Sequence, residues 1–505
     1  MISEPSITSI LPIIITLILS VATRNVIIGL FTGILSGVFL LYGFNPLVAM
    51  EKLIGHYLVG QVSDSYNAGV IVLLAFIGGF VHLMEKSGGG PAFADSVTRY
   101  IDSKRKGQMF AWMGGILLFF SDIGTPLIVG PIFQPLFDKM KLSREKLAMI
   151  IDSTASPVAI LVPFIGWGVY IMSLIDKEMG SFFPDASSLE IFISAVPFQF
   201  YAILAVFLIP WIAFNAADFG SMARAENMAA KGQPTPGQLG GAAGGVPEIF
   251  THEKAGASFV FIPLLLLGVT LFAVLIPQGF PAKPVAGSIF RSALSAGYFF
   301  AAVALLVLMA KKGVRPLMEG FDLYLKGMSG MMQIVIILVL AWTLSVIGKD
   351  LGAPAYIARL VEGGFPGWLL PATIFILGGS ISFATGSSWG TFAVLFPLVI
   401  PAAAIVDAPL AVVVASVLSG GLFGDHCSPI SDSTILSSTG AGCEQFEHFR
   451  TQLPYALING SLAFLVYLIA GAYPNPILLP VVIIFQIILF FILARVTKKR
   501  SVSKV

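Results

Sequence analysis

The stretch GDHCSPISDSTIL, residues 424–436, carries two aspartates, a histidine, a cysteine, three serines, a threonine and a proline. It nevertheless lies between two apolar runs, 408–422 and 453–470, each suited to a bilayer. Polar and ionisable groups at membrane depth are costly, and proline removes a backbone donor and breaks the helical ladder. The stretch therefore reads as a substrate or ion pathway. The competing reading is a polar helix end in a cytoplasmic loop.

Composition supports a membrane setting. The 505 residues are 56% hydrophobic and 11% charged, against roughly 25% charged in a soluble domain. A net charge of +2, with no basic cluster interleaved with aromatics, speaks against nucleic-acid binding. Cys427 and Cys443 alone cannot form a disulfide framework or a CxxC metal site. The first apolar run, 7–21, has Glu4 before it and no small-residue cleavage site, so it is expected to be a retained span. Residues 215–254 contain GQPTPGQLGGAAGG and read as a flexible loop, whose glycines have no preceding strand to make a nucleotide site.

Runs of 17 to 25 apolar residues suffice to span a bilayer. About 11 are expected, at 6–23, 26–43, 69–86, 147–175, 190–213, 257–277, 289–310, 328–347, 408–437, 453–472 and 477–496. Two further stretches are interrupted, 108–137 by SDIGTP and 368–406 by TGSSWGT, leaving arms expected to be too short to cross. Both flanks of the first are basic: Arg99, Lys104, Arg105 and Lys106 precede it, and Lys139, Lys141, Arg144 and Lys146 follow. Short basic loops stay cytoplasmic, so this stretch should enter and leave on one side as a re-entrant hairpin.

Carried forward, that orientation puts Lys311, Lys312, Arg315, Lys326 and the tail Lys498, Lys499 and Arg500 inside. The acidic loop with Asp176, Glu178, Asp185 and Glu190 falls outside, and the second hairpin, flanked by Lys349, Asp350, Arg359, Glu362 and Asp407, opens there. The amino terminus is then outside and the carboxyl terminus cytoplasmic.

Two halves with the same element order but opposite starting sides emerge. Residues 1–213 hold three spans, a hairpin at 108–137, a broken span at 147–175 and one more span. A cytoplasmic linker at 214–256 follows. Residues 257–472 repeat the order, with a hairpin at 368–406 and a broken span at 408–437, and 473–505 add an extra helix and a basic tail. DSTASP at 152–157 echoes DHCSP and DSTIL in the later half. The fold class expected is an all-α polytopic membrane protein of two inverted repeats with discontinuous helices, the architecture of secondary transporters.

Four breaks should meet at the centre. They contribute Ser121, Asp122, Gly124, Thr125 and Pro126; Asp152, Ser153, Thr154, Ser156 and Pro157; Thr385, Gly386, Ser387, Ser388 and Thr391; and 425–434. Glycine and proline free backbone carbonyls, and small hydroxyls and carboxylates complete an oxygen cage for a hard cation. Half-helix N-termini there would equally attract a substrate carboxylate. Burial disfavours a charged carboxylate and a cation favours it, so H+ and Na+ would compete for one aspartate. His426 is a candidate proton relay.

Three segments carry a family resemblance. GDHCSPISDSTILSSTGAG (424–442), GSSWGTFAVLFP (386–397) and LSREKLAMIIDSTASPVA (142–159) resemble the NhaC-type Na+/H+ antiporter family of the ion transporter superfamily. The resemblance implies that Asp425, His426, Ser428, Pro429, Asp432, Ser433 and Thr434, with Ser387, Ser388, Trp389 and Thr391, line the transport site. It also implies a mobile transport domain against a scaffold, commonly in a homodimer. Ser121 and Asp122 stand where close relatives often place two adjacent acids, which removes one cation ligand. The family includes carriers of organic solutes, so the resemblance fixes the machine better than the cargo.

The function expected is a secondary carrier in a prokaryotic-type inner membrane, exchanging Na+ and H+ through Asp122, Asp152, Asp425 and Asp432, without a cofactor. The alternative is Na+- or H+-coupled transport of an amino acid or carboxylate. An intramembrane enzyme is disfavoured because HxxxH and HExxH arrangements are absent and His426 has no obvious serine nucleophile partner with an orienting acid. Plainer readings stand beside several residues. Asp152 could be an interfacial cap, His82 and Glu85 an interfacial pair, and Trp389 and Cys427 packing residues.

Overall fold

The computed structural model describes residues 6–98, 100–122, 124–180, 182–183, 186–215, 218–240, 250–280, 285–361 and 364–502. Arg99, Asp185, Glu362 and most of GGAAGG lie outside the described residues. Every described element is helical. Among the described residues, eight helices are long and apolar enough to cross a membrane, or nine with a pair bent by 50°, Ser188–Phe198 and Phe200–Asn215. The difference from the expected count lies partly in short helices. Ile7–Thr23 and Val26–Tyr42 have 17 residues each, about 26 Å at 1.5 Å per residue.

Two other expectations change. The arms around TGSSWGT are not too short: Gly367–Thr385 has 19 residues and Ser388–Ile405 has 18, both apolar enough to cross. The span expected at 328–347 belongs to a longer helical run, Leu317–Asp350, of 34 residues.

The breaks fall where the residues require them. The first hairpin has arms Lys104–Leu117 and Gly124–Lys139. The first broken segment runs as Arg144–Asp152, Ser156–Ala159 and Gly166–Met179, with Pro157 starting the middle piece. The second hairpin turns at Gly386, whose left-handed backbone (φ 66°) suits glycine and ends Leu370–Thr385. Ser387 then caps Ser388–Ile405, accepting from Gly390 N at 3.3 Å. The second broken segment is Leu410–His426 followed by Asp432–Ala441, which Ser431 caps.

The short helix Asp432–Ala441 binds the halves together, packing on both Gly124–Lys139 and Arg144–Asp152. At its crossing with the first hairpin, Gly130 and Gly440 meet backbone to backbone. A Cβ on Gly130 would overlap the backbone of Gly440, and one on Gly440 would overlap the Pro126 carbonyl. Small residues permit such close helix approach in membranes.

Part of the expected flexible loop is ordered. Gly220–Ala230 and Pro236–Gly240 pack against Arg144–Asp152. Buried Lys146 draws in Asp218 at 2.5 Å and Glu226 at 3.2 Å, and buried Glu145 accepts from Thr235 Oγ1 (3.0 Å) and Gly237 N (2.9 Å). A buried charge needs such partners, and these come from the linker.

Candidate functional site

The four breaks converge on one cavity of about 230 Å³. Asp122 comes from the first hairpin tip, Ser156 from the first broken segment and Gly386, Ser387, Ser388 and Trp389 from the second hairpin tip. Asp425, Asp432 and Ser433 come from the second broken segment. The wall therefore carries three carboxylates and several hydroxyls, the donor set of a hard-cation or polar-solute site.

Asp425 ends the helix Leu410–His426 and is 3% exposed; its Oδ2 accepts from Ser433 Oγ at 2.7 Å. Asp432 opens the next helix, and Ser431, between them, caps it through Ser433 N at 3.2 Å. The carboxylates thus flank a break whose turn is held from outside. Ser428 Oγ donates to the Phe383 carbonyl at 2.8 Å, and Gln445 Nε2 donates to that of Pro429 at 2.5 Å.

One side of the cavity is aromatic. Trp389 and Trp167 lie 4.4 Å apart by ring centroid, with Tyr170 at 4.6 Å from Trp389. Tyr170 Oη donates to the Trp389 carbonyl at 2.5 Å, fixing the tip of the second hairpin.

Other expected site residues lie behind this wall. Thr125 and Thr391 donate to backbone carbonyls near their own helix starts, those of Ser121 and Ser387, and Thr154 donates to that of Ile150. Ser153 caps the end of Arg144–Asp152. Thr434 Oγ1 is buried without a partner. His426 is 2% exposed, its Nδ1 lies 3.0 Å from Tyr201 Oη, and it does not line the cavity.

Asp152 is no interfacial cap. It is wholly buried at the end of Arg144–Asp152, held by Gln452, Ser437 and His448. Gln452 and His448 escaped the sequence reading, although they sit four apart near the start of Gln445–Ala472, a spacing that puts both on one face. Glu85 also changes role: its Oε1 accepts from Ser121 Oγ at 2.6 Å, linking it to the first hairpin tip. Its neighbour His82 lies 3.7 Å from its other oxygen. Cys427 and Cys443 are buried free thiols, and among the described residues no three His, Cys, Asp or Glu groups could hold a metal ion together.

Comparisons with known proteins agree on the class of molecule. The model of the Na+/H+ antiporter family matches residues 1–175 and 158–472. An uncharacterized protein of Haemophilus influenzae is 31% identical over 487 residues, covering 92% of this chain and 91% of that one. The malate-2H(+)/Na(+)-lactate antiporter of Bacillus subtilis is 32% identical over 148 residues, 29% of this chain and 31% of that one. In fold, the chain is similar to the YdaH transporter of Alcanivorax borkumensis, with a TM-score of 0.59 at 14% identity, covering 86% of this chain and 90% of that one.

Proposed function

Because the chain belongs to the Na+/H+ antiporter family, and is on that ground a multi-pass membrane transporter rather than an enzyme, we propose that it exchanges Na+ for H+ through its buried aspartates. Cation and proton compete: occupancy by Na+ at Asp425 and Asp432 is exclusive with the protonated state. Hydroxyls of Ser433, Ser388 and Ser156 and the carbonyls freed at the breaks complete the shell. Residues 1–213 and 257–472 act as inverted repeats, and the hairpins and broken segments move against the remaining spans in an elevator-like or rocking step. The amino terminus is outside, the carboxyl terminus cytoplasmic, and the carrier is a homodimer.

One observation carries this reading. Four chain breaks from distant parts of the sequence supply three carboxylates to a single cavity. Charged groups at membrane depth are retained where they serve an ion or substrate path. The test is transport in proteoliposomes with an imposed Na+ gradient, read as movement of protons. Acidification or alkalinisation that follows the Na+ gradient is expected; if it requires an added organic solute, simple Na+/H+ antiport is wrong.

A second reading has its own support. The Trp167 and Trp389 wall and a volume of about 230 Å³ leave more room than one ion needs, since a water occupies about 30 Å³. A small carboxylate solute would then travel with the coupling ion, as the name of the Bacillus subtilis relative describes for that protein. Solute-dependent proton movement across a panel of small carboxylates distinguishes the two.

A further inference from the structure

Asp152 lies outside the cavity wall, in a sealed polar centre of its own. Its Oδ2 accepts from Gln452 Nε2 at 2.5 Å and lies 3.5 Å from His448 Nε2; its Oδ1 accepts from Ser437 Oγ at 3.3 Å. Asp152 and His448 are both 0% exposed. Among the described residues, His448 is the basic side chain within ion-pairing reach of Asp152. Both its ring nitrogens are buried without a hydrogen-bond partner, as are Gln452 Oε1 and His426 Nε2. A neutral imidazole so placed strands a donor and an acceptor. Protonation turns a stranded nitrogen into the counter-charge of the carboxylate.

A second observation ties this centre to the cavity. On the helix Asp432–Ala441, Ser433 donates to Asp425 and Ser437, one turn further, donates to Asp152. Residues four apart share a helix face. Any shift of this short helix changes the surroundings of both carboxylates together.

The other titratable groups around the pair can be placed. Asp425 and His426 face it from Leu410–His426, and Tyr201 from Phe200–Asn215; Asp432, on the next helix, neighbours Asp425. Asp138 and Glu226, on other elements against Arg144–Asp152, are engaged with Arg144 and Lys146 at its opposite end.

We infer that the exchanged proton is held by the Asp152–His448 pair, one layer behind the cavity, while the cation is taken at Asp425 and Asp432. This rests on the antiport reading and assigns its two cargoes to two places. Exclusion between them is indirect, carried by the serine-bearing helix.

The test is thermal stabilisation of the purified full-length protein by NaCl against choline chloride, across pH. Linkage of one proton makes the half-stabilising NaCl concentration fall about tenfold per pH unit as pH rises through the titration. In His448→Gln, NaCl should still stabilise, with the slope flattened to less than about twofold per unit. A wild-type slope in His448→Gln overturns the inference alone. Wild-type protein indifferent to NaCl at every pH overturns the antiport reading, and the inference with it. If His448→Gln fails to fold, Ser437→Ala decides, because it keeps both titrating groups. The titration should move by about one pH unit on losing that hydrogen bond, and an unmoved titration overturns the inference.

Discussion

Asp425 and Asp152 each end a helix at a break, yet their surroundings differ in kind. Asp425 faces a cavity and accepts from the hydroxyl of Ser433. Asp152 is closed in by an amide, a hydroxyl and an imidazole. A carboxylate with an open coordination side can take and release an ion. One sealed by protein partners can change only its proton, or the position of the group that answers its charge. The difference shows that burial alone does not define an ion site; the open face does.

The contrast can be broken from either side. Asp425→Asn should reduce Na+-driven proton movement in proteoliposomes by about a hundredfold, the equivalent of about 2.8 kcal/mol; near wild-type exchange would remove Asp425 from the cation path. Next, Gln452→Leu takes the closest donor from a sealed carboxylate, and should lower stability in detergent by about 1–3 kcal/mol. A melting temperature equal to that of wild type would mean that Asp152 is not held as described. Ser433→Ala, at the open site, should be gentler, weakening NaCl stabilisation about fivefold, or about 1 kcal/mol. A loss as large as that of Asp425→Asn would contradict the open-face account. Ser387→Ala should be smallest, costing about 0.5–1 kcal/mol of folding stability through its cap. A large loss of NaCl response there would mark Ser387 as a direct ligand instead.

The breaks were legible in the sequence because their signal is local. Proline, glycine and aspartate inside an apolar run are anomalous wherever they occur, and SDIGTP, DSTASP, TGSSWGT and GDHCSPISDSTIL announced all four. Their convergence on one cavity then follows from packing of those segments. The partners of Asp152 were hidden because they stand about 300 residues away, in a helix start whose His448 and Gln452 look interfacial. Glu85 was obscured similarly, read with neighbouring His82 when its strongest contact is Ser121. The linker misled through composition. Its glycines and prolines read as flexible, but Glu145 and Lys146 are buried charges that only the folded linker satisfies.

The contact between Gly130 and Gly440 has a consequence for the history of such a chain. With the backbone of Gly440 occupying the place of a Cβ on Gly130, and the Pro126 carbonyl that of a Cβ on Gly440, neither position can accept a side chain by itself, whatever the rest of its half becomes. Two segments 310 positions apart, 440 less 130, are thereby obliged to diverge in step. A hybrid that joins the first half of this chain to the second half of a distant relative would be accepted or refused at this one crossing, before any ion arrives.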